Sequence, residues 1–417
     1  MNATQDAFAA LRYRDFSIVT LNQFCLTLAI LIQEIIVAYS LYKITKDPLT
    51  LGLIGLAEAI PYIALSLWGG YFADRFNKQT IMKICLFFAI PLPLVLWGLF
   101  HAYGLKHIEL STLSWGVYAV IFGLGTIRGF YNPSATSLKP FLIPREIYAN
   151  GATRTTIGWQ SGVIIGPMLG GLMLAFLGRE TSFISVAVLL SLCFLLVNLL
   201  SKRTFPKIET ERVLQSLGEG FRFIAKTKIV PWAISLDLVS VLFGGVIALL
   251  PIFAEDILKI GPEGLGYLRA APSIGALITM IALTRFPPTR HAWRNMLLAV
   301  AGFGLFTLLF AYSNYLWLSL FALAMTGACD SISVVIRQTI LQIYPPENMR
   351  GRVAAVNGMF VSSSNELGAF ESGLAAKYLG PVIATVFGGS MTLLVVALSW
   401  AKTKDLFGVD ITQAEQK

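Results

Sequence analysis

Charge is scarce in this chain: Asp, Glu, Lys and Arg make up 13% of its 417 residues, about half the roughly 25% of an ordinary soluble domain. That scarcity excludes a soluble enzyme, a disordered chain and a nucleic-acid binder, all of which present abundant solvated charge. Histidine is rarer still. His101, His107 and His291 fall in expected loops, and no cluster of His with carboxylates or Ser/His/Asp set is present, so the chain is not expected to be an enzyme or to hold a metal or cofactor. The four cysteines, Cys25, Cys85, Cys193 and Cys329, sit singly in apolar runs without Cys-x-x-Cys spacing. They read as small buried hydrophobes and support neither disulfides nor zinc. No Gly-x-x-x-x-Gly-Lys-Ser/Thr loop occurs, which argues against ATP hydrolysis as an energy source. The opening MNATQDAFAALRYRDF lacks the short apolar core of a cleaved signal peptide and reads as a lead-in to a retained first span.

What is abundant is oil-soluble chain. Hydrophobic residues make up 56%, with 36 glycines besides, and a membrane-spanning helix needs roughly 20 such residues. The stock suffices for about twelve spans, and twelve apolar runs are found: 17–42, 49–73, 79–101, 111–137, 150–177, 181–200, 230–253, 264–284, 292–312, 315–342, 352–376 and 380–401. They must be helices, because lipid offers no partner to an open strand edge. The expected fold is an all-α integral membrane protein, twelve transmembrane helices in two six-helix pseudo-symmetric bundles. Residues 1–200 form the first bundle, 201–229 a cytoplasmic linker, 230–401 the second bundle and 402–417 a cytoplasmic tail.

Orientation follows from Lys and Arg. With the N-terminus inside, 22 of the 32 fall in inner segments, six in outer loops and four within spans, the asymmetry that the positive-inside rule describes. Both termini are therefore expected on the cytoplasmic side. In the linker, Leu214, Leu217, Phe221 and Ile224 follow helical spacing among Arg212, Glu219, Arg222, Lys226 and Lys228. That pattern predicts an amphipathic helix lying at the inner membrane surface.

The halves echo one another. Pro48-Leu-Thr-Leu51-Gly52 recurs as Pro262-Glu-Gly-Leu265-Gly266, and Pro144-Arg145-Glu146 as Pro345-Pro346-Glu347, at matching places. A parallel repeat of six helices implies a pseudo-two-fold axis along the membrane normal, with the working site near the midplane.

Two motifs name a family. After the second span comes Gly69-Gly70-Tyr-Phe-Ala-Asp74-Arg75-Phe-Asn-Lys78, which closely resembles the Gly-x-x-x-Asp-Arg-x-x-Arg/Lys signature of the major facilitator superfamily. Gly70 permits close helix packing and Asp74 fixes an anion at a helix end. The resemblance implies that this carboxylate sits near the start of the eleventh helix, around Met349–Arg352, and with Arg75 and Lys78 helps to hold an inner gate shut. On the fifth span, Gly162-Val-Ile-Ile-Gly166-Pro167-Met-Leu-Gly170-Gly171 is similar to the family's antiporter-associated Gly-x-x-x-Gly-Pro-x-x-Gly-Gly. The resemblance implies a flat face packed against the eighth helix, sealing the halves on one side, and Pro167 invites a kink. Asn132-Pro133-Ser134 with Leu142-Ile-Pro144-Arg-Glu146, and Leu341-Gln342 through Arg350-Gly351-Arg352-Val353, are similar to the branch of enterobactin exporters and macrolide-efflux proteins, bacterial inner-membrane carriers. The Arg-x-x-x-Gly of many proton antiporters is absent, since Arg128 has Gly129 after it but no Gly at 132.

Ionisable groups within spans cost about 2.5–3.5 kcal/mol or more each. Nine are expected: Glu34, Glu58, Arg128, Asp237, Arg269, Asp330, Arg337, Glu366 and Glu371. The family's cavity helices are one, four, seven and ten, which hold five of the nine; the others lie on two, eight and eleven. Arg128 and Asp330 occupy equivalent places in the repeat and are expected to face one another, as a switch or as a permanent ion pair. Six acids against three Arg leave acids without a base, and Glu34, Asp237 and then Glu366 are the first candidates to carry a proton. Glu58 and Glu371 are assigned to helix packing. Phe24, Trp159, Phe243 and Phe360 are candidate binding aromatics. The resulting expectation is a monomeric, proton-coupled antiporter exporting amphipathic small molecules, drug- or siderophore-like, by alternating access, with lipid around it and no nucleic acid. An importer or lipid flippase on the same scaffold, or a membrane receptor that does not transport, stays open.

Overall fold

A computed structural model describes residues 8–203 and 213–408; residues 1–7, the linker stretch 204–212 that includes Arg212, and the tail from 409 lie outside the described residues. All regular elements among the described residues are helical. The first six long helices are α1 Arg14–Thr45, α2 Leu49–Arg75, α3 Lys78–Gly104, α4 Leu110–Leu138, α5 Tyr148–Phe176 and α6 Gly178–Asn198. A linker helix, Val213–Lys226, follows. The second six are α7 Ile229–Ile257, α8 Gly261–Arg285, α9 Ala292–Ala311, α10 Leu316–Ile343, α11 Glu347–Leu379 and α12 Pro381–Lys402. Eleven of the twelve are long and apolar enough to cross a bilayer. The other, α11, has the length, 33 residues, but Asn357, Asn365, Glu366 and Glu371 dilute its apolar character.

The chain forms two compact units. One comprises Met1–Thr45, Ala57–Thr210 and Gly261–Gly266; the other comprises Lys46–Leu56, Glu211–Ile260 and Tyr267–Lys417. The first turns of α2 thus belong with the second unit, and the first turns of α8 with the first. These are the two segments that repeat in sequence. Small residues explain both attachments. A Cβ on Gly52 would stand 3.0 Å from Phe370 Cα of α11, and one on Gly266 would stand 2.7 Å from the Pro167 carbonyl oxygen of α5.

In the first unit, α1 runs against α5 and α6. Phe16, Val19, Met82, Leu86, Leu138 and Val197 build its inner core. A fully buried polar cluster ties three helices there. Asn22 of α1 donates to the Cys193 carbonyl of α6 at 2.7 Å, and the Tyr131 hydroxyl of α4 donates to Asn22 Oδ1. Burying an amide is tolerable because its groups are partnered. Cys25, Cys85 and Cys193 are free thiols in the core, as expected, whereas Cys329 is only partly buried.

In the second unit α7 departs from the continuous span expected over 230–253. It runs regularly from Ile229 to Phe243, breaks at Gly244-Gly245 and resumes as a short 3-10 turn, Val246–Leu249. It ends in a π-turn, Phe253–Ile257. Crowding dictates the glycines, since a Cβ on Gly244 would stand 2.4 Å from the Phe303 ring and one on Gly245 2.9 Å from the Gly368 carbonyl oxygen. The expected linker helix is present, and it packs on α11, where a Cβ on Gly220 would stand 2.9 Å from the Arg352 carbonyl oxygen. Glu219 pairs with Arg352, the Phe221 and Phe360 rings lie 5.5 Å apart, and Ile224 joins the core. The side chains of Leu214 and Leu217 lie outside those described.

Candidate functional site

The charged residues of α7 and α10 converge inside the second unit. Asp237 sits on the regular part of α7 and Arg337 on the inner half of α10, one turn from Ser333 and two from Asp330. Arg337 donates to Asp237 Oδ2, with both side chains under 5% exposed. Asp237 and Asp330 line one small cleft, about 10 Å³ in volume, with Ser240, Cys329 and Ser333, closed on the apolar side by Val241, Val300 and Phe303. Asp330 is thus within electrostatic reach of both Asp237 and Arg337. One carboxylate, Asp237, is bonded to the guanidinium, and the second, Asp330, lies nearby. Two donors at this place, Arg337 Nε and Ser333 Oγ, are buried without a protein partner, which is uncommon unless a ligand or water completes them.

This geometry sharpens one expectation: Asp237 does not stand alone, since its partner is Arg337, because α7 and α10 lie side by side. Arg128 pairs with Glu58 of α2 and lies 5.5 Å from the Tyr62 ring. Glu58 thus acts in helix packing, the role expected of it.

The remaining candidates are dispersed. Glu34 is partly buried on α1, as are Glu366 and Glu371 on α11. Glu366 Oε2 lies 3.3 Å from where a Cβ on Gly55 would stand. Arg269 donates to the Ile247 carbonyl at 3.4 Å, bridging the break in α7. Of the candidate aromatics, Phe24 packs on the first unit's core, Phe243 meets Phe387 edge-on at 5.9 Å, Phe360 faces the linker helix, and Trp159 is exposed. Phe303, which does line the cleft, was not among them. The polar stripe Asp330, Ser333, Arg337 on α10, at helical spacing, is the signal that would have found it together with Ser333.

The two family motifs are built differently from expectation. Gly70 has nothing within 4 Å; the close packing belongs to Gly69, where a Cβ would stand 2.1 Å from the Gly129 carbonyl oxygen of α4. The helix register carries Gly69, not its neighbour, onto α4. Lys78 is 1% exposed and donates to the Ala73 carbonyl at 2.8 Å, a cation placed on the free carbonyls of a helix end. Asn77 caps α3 through its side chain, which accepts from the Gln79 N–H at 2.9 Å. Arg75 lies 4.5 Å from the Tyr71 ring, and Asp74 is partly buried near Lys78. On α5, a Cβ on Gly162, Gly166 or Gly170 would stand 2.9–3.1 Å from Thr27, Leu31 or Ile32 of α1. Successive glycines four residues apart share one face, and that face lies on α1. The first turns of α8 are met by Gly171, Met168 and the Pro167 carbonyl, and α5 runs as one helix through Pro167.

Eleven helices long and apolar enough to cross a bilayer, several of them carrying buried charges, describe a multi-pass membrane protein. The family model described as Major Facilitator Superfamily matches residues 19–369, and the chain belongs to that superfamily of transporters. It is 25% identical over 365 residues to the multidrug efflux pump Tap of Mycolicibacterium fortuitum, covering 83% of this chain and 85% of that protein. To the enterobactin exporter EntS of Escherichia coli O81 (strain ED1a) it is 26% identical over 357 residues, covering 79% and 77%. Among solved structures, the nucleoside transporter NupG superposes with a TM-score of 0.70 at 15% identity, covering 97% of this chain and all of that one. A bacterial homologue of the human lysosomal transporter Spinster, in an inward-facing and unoccupied conformation, superposes with a TM-score of 0.66 at 16% identity, covering 97% of each. These likenesses at low identity concern the fold alone.

Proposed function

We propose that the protein is a proton-coupled exporter of amphipathic, predominantly cationic small molecules that works by alternating access. The observation that carries this reading is the cleft that Asp330 lines beside the Asp237–Arg337 pair. With all three ionised the group carries one excess negative charge, and an isolated buried charge is costly. Either a proton or a substrate cation cancels it, and the two compete for the same place. That competition is antiport: a proton arriving from outside displaces the cation, and its departure inside readies the cleft for the next one. At about 10 Å³ the cleft admits no amphipathic ligand in this conformation, so the substrate cation enters a state in which α7 and α10 have opened, where Val241, Val300 and Phe303 form an apolar wall and Ser333 Oγ a donor. The efflux relatives favour export, and bacterial relatives favour the inner membrane, with both termini cytoplasmic by the Lys/Arg count.

Gating then falls to the motif residues Asp74, Arg75 and Lys78 at the end that holds the termini. At the opposite end it falls to the small-residue seams Gly52–Gly373 and Gly171–Gly266. Reconstituted protein tests the reading with ethidium, a lipophilic cation. Ethidium should accumulate in proteoliposomes whose lumen is acidic, and equal rates with and without the pH gradient would remove proton coupling from the account.

A further inference from the structure

The first unit contains a second cleft, of opposite charge and remote in sequence from α7 and α10. Its volume, about 520 Å³, falls within the ~300–1,000 Å³ of small-molecule sites. Tyr39, Ser40 and Lys43 of α1 line it with Arg179 of α6, and Leu174 of α5 and Pro262 of α8 form its apolar wall. Two cations and no carboxylate thus face the space. It lies where α1 ends, α5 turns into α6 and α8 begins. That is the end away from Asp15 and Arg203, which pair with one another near the start of α1.

Arg179 is placed there by its neighbour. Gly178 adopts φ +76°, a left-handed conformation that costs glycine little, and so turns the chain sharply from α5 into α6. The guanidinium then lies 4.8 Å from the Phe100 ring and makes one long bond, 3.5 Å, to the Phe100 carbonyl. Its Nε is buried with no partner. The adjacent acid, Glu180, is bonded to His101 at 2.9 Å and also lies within electrostatic reach of Arg179. A guanidinium close to an aromatic ring, with its Nε unpartnered and a second cation lining the same cleft, is arranged for a planar or tetrahedral oxyanion.

We propose that this cleft binds a phosphate group through Arg179 and Lys43, carried either by an anionic phospholipid of the adjoining leaflet or by a soluble phosphate ester. Leu174 and Pro262 suit the glycerol or organic part of either. The site is separate from the transport reading above and does not depend on it.

Native mass spectrometry of the detergent-solubilised full chain tests the proposal, with dioleoylphosphatidylglycerol in one arm and glycerol 3-phosphate in the other. Dioleoylphosphatidylcholine serves as the neutral control. Arg179→Gln should weaken binding of one of the two probes by about tenfold or more, the scale of one lost charge-assisted bond. Lys43→Gln, at an exposed position that leaves packing intact, should weaken the same probe. Loss confined to the phosphatidylglycerol arm assigns the site to lipid, and loss in the glycerol 3-phosphate arm assigns it to a soluble ester. If Lys43→Gln and a folded Arg179→Gln both bind each probe as the unaltered protein does, or if neither probe binds the unaltered protein, the proposal is overturned.

Discussion

In the first unit a Cβ on Gly125 of α4 would stand 2.2 Å from the Glu58 carbonyl oxygen of α2; in the second, one on Gly327 of α10 would stand 1.9 Å from that of Pro272 of α8. The two glycines are 202 residues apart, the same offset that relates Arg128 to Asp330. Equivalent helices thus approach equally closely in both bundles, and one turn further on the bundles diverge. The first places a base, Arg128, against a single acid, Glu58. The second places an acid, Asp330, where Asp237 and Arg337 are already paired. The first joins a base to an acid; the second holds an acid in excess. Conserving packing while changing charge is how a repeated scaffold can keep one half as a frame and use the other for ion chemistry.

The comparison can be broken by removing the bases. Arg337→Gln leaves Asp237 buried without its cation and should cost about 3–5 kcal/mol, read as a large fall in thermal midpoint in detergent. Adding Asp237→Asn should restore much of it. Packing can be probed next. Gly69→Ala must push α2 from α4 and should cost about 1–3 kcal/mol, whereas Gly70→Ala, with open space around it, should cost nothing measurable in the same melt. Arg128→Gln removes a partly exposed pair and should cost about 1 kcal/mol or less. If it proved as damaging as Arg337→Gln, the contrast between the bundles would be lost.

The smallest effect lies outside the membrane. Lys228 bonds Asp405 and holds its carboxyl below the usual carboxylate range. A lowered folded-state value adds stability that is present above the ordinary Asp pKa of about 3.9 and lost as pH falls through the folded value. Both groups are well exposed, so the effect is small. The thermal midpoints of Lys228→Gln and the unaltered protein should differ slightly at neutral pH and converge once Asp405 is protonated.

Much of the fold was legible because lipid imposes long apolar runs: α1 to α10 and α12 announce themselves, and α11 was read as a run over 352–376 despite Asn365 and Glu366. The break at Gly244-Gly245 was not, since it answers to Phe303 and Gly368, distant in sequence. Charge placement was legible for the same reason as the spans, each buried ion being costly enough to stand out. Pairing was not. Glu58 and Arg128 are 70 residues apart, Asp237 and Arg337 are 100 apart, and hydropathy says nothing about which helices become neighbours. The glycine faces failed similarly: spacing identified a flat side on α5 but not that α1 would occupy it.

Ethidium transport by Asp330→Asn in proteoliposomes is the most direct test of the excess acid. The substitution removes one negative charge and leaves the Asp237–Arg337 pair in place. The account predicts that ethidium–ethidium exchange and accumulation driven by an acidic lumen are both lost, because the substitution mimics the protonated cleft. Accumulation that continued undiminished would contradict it.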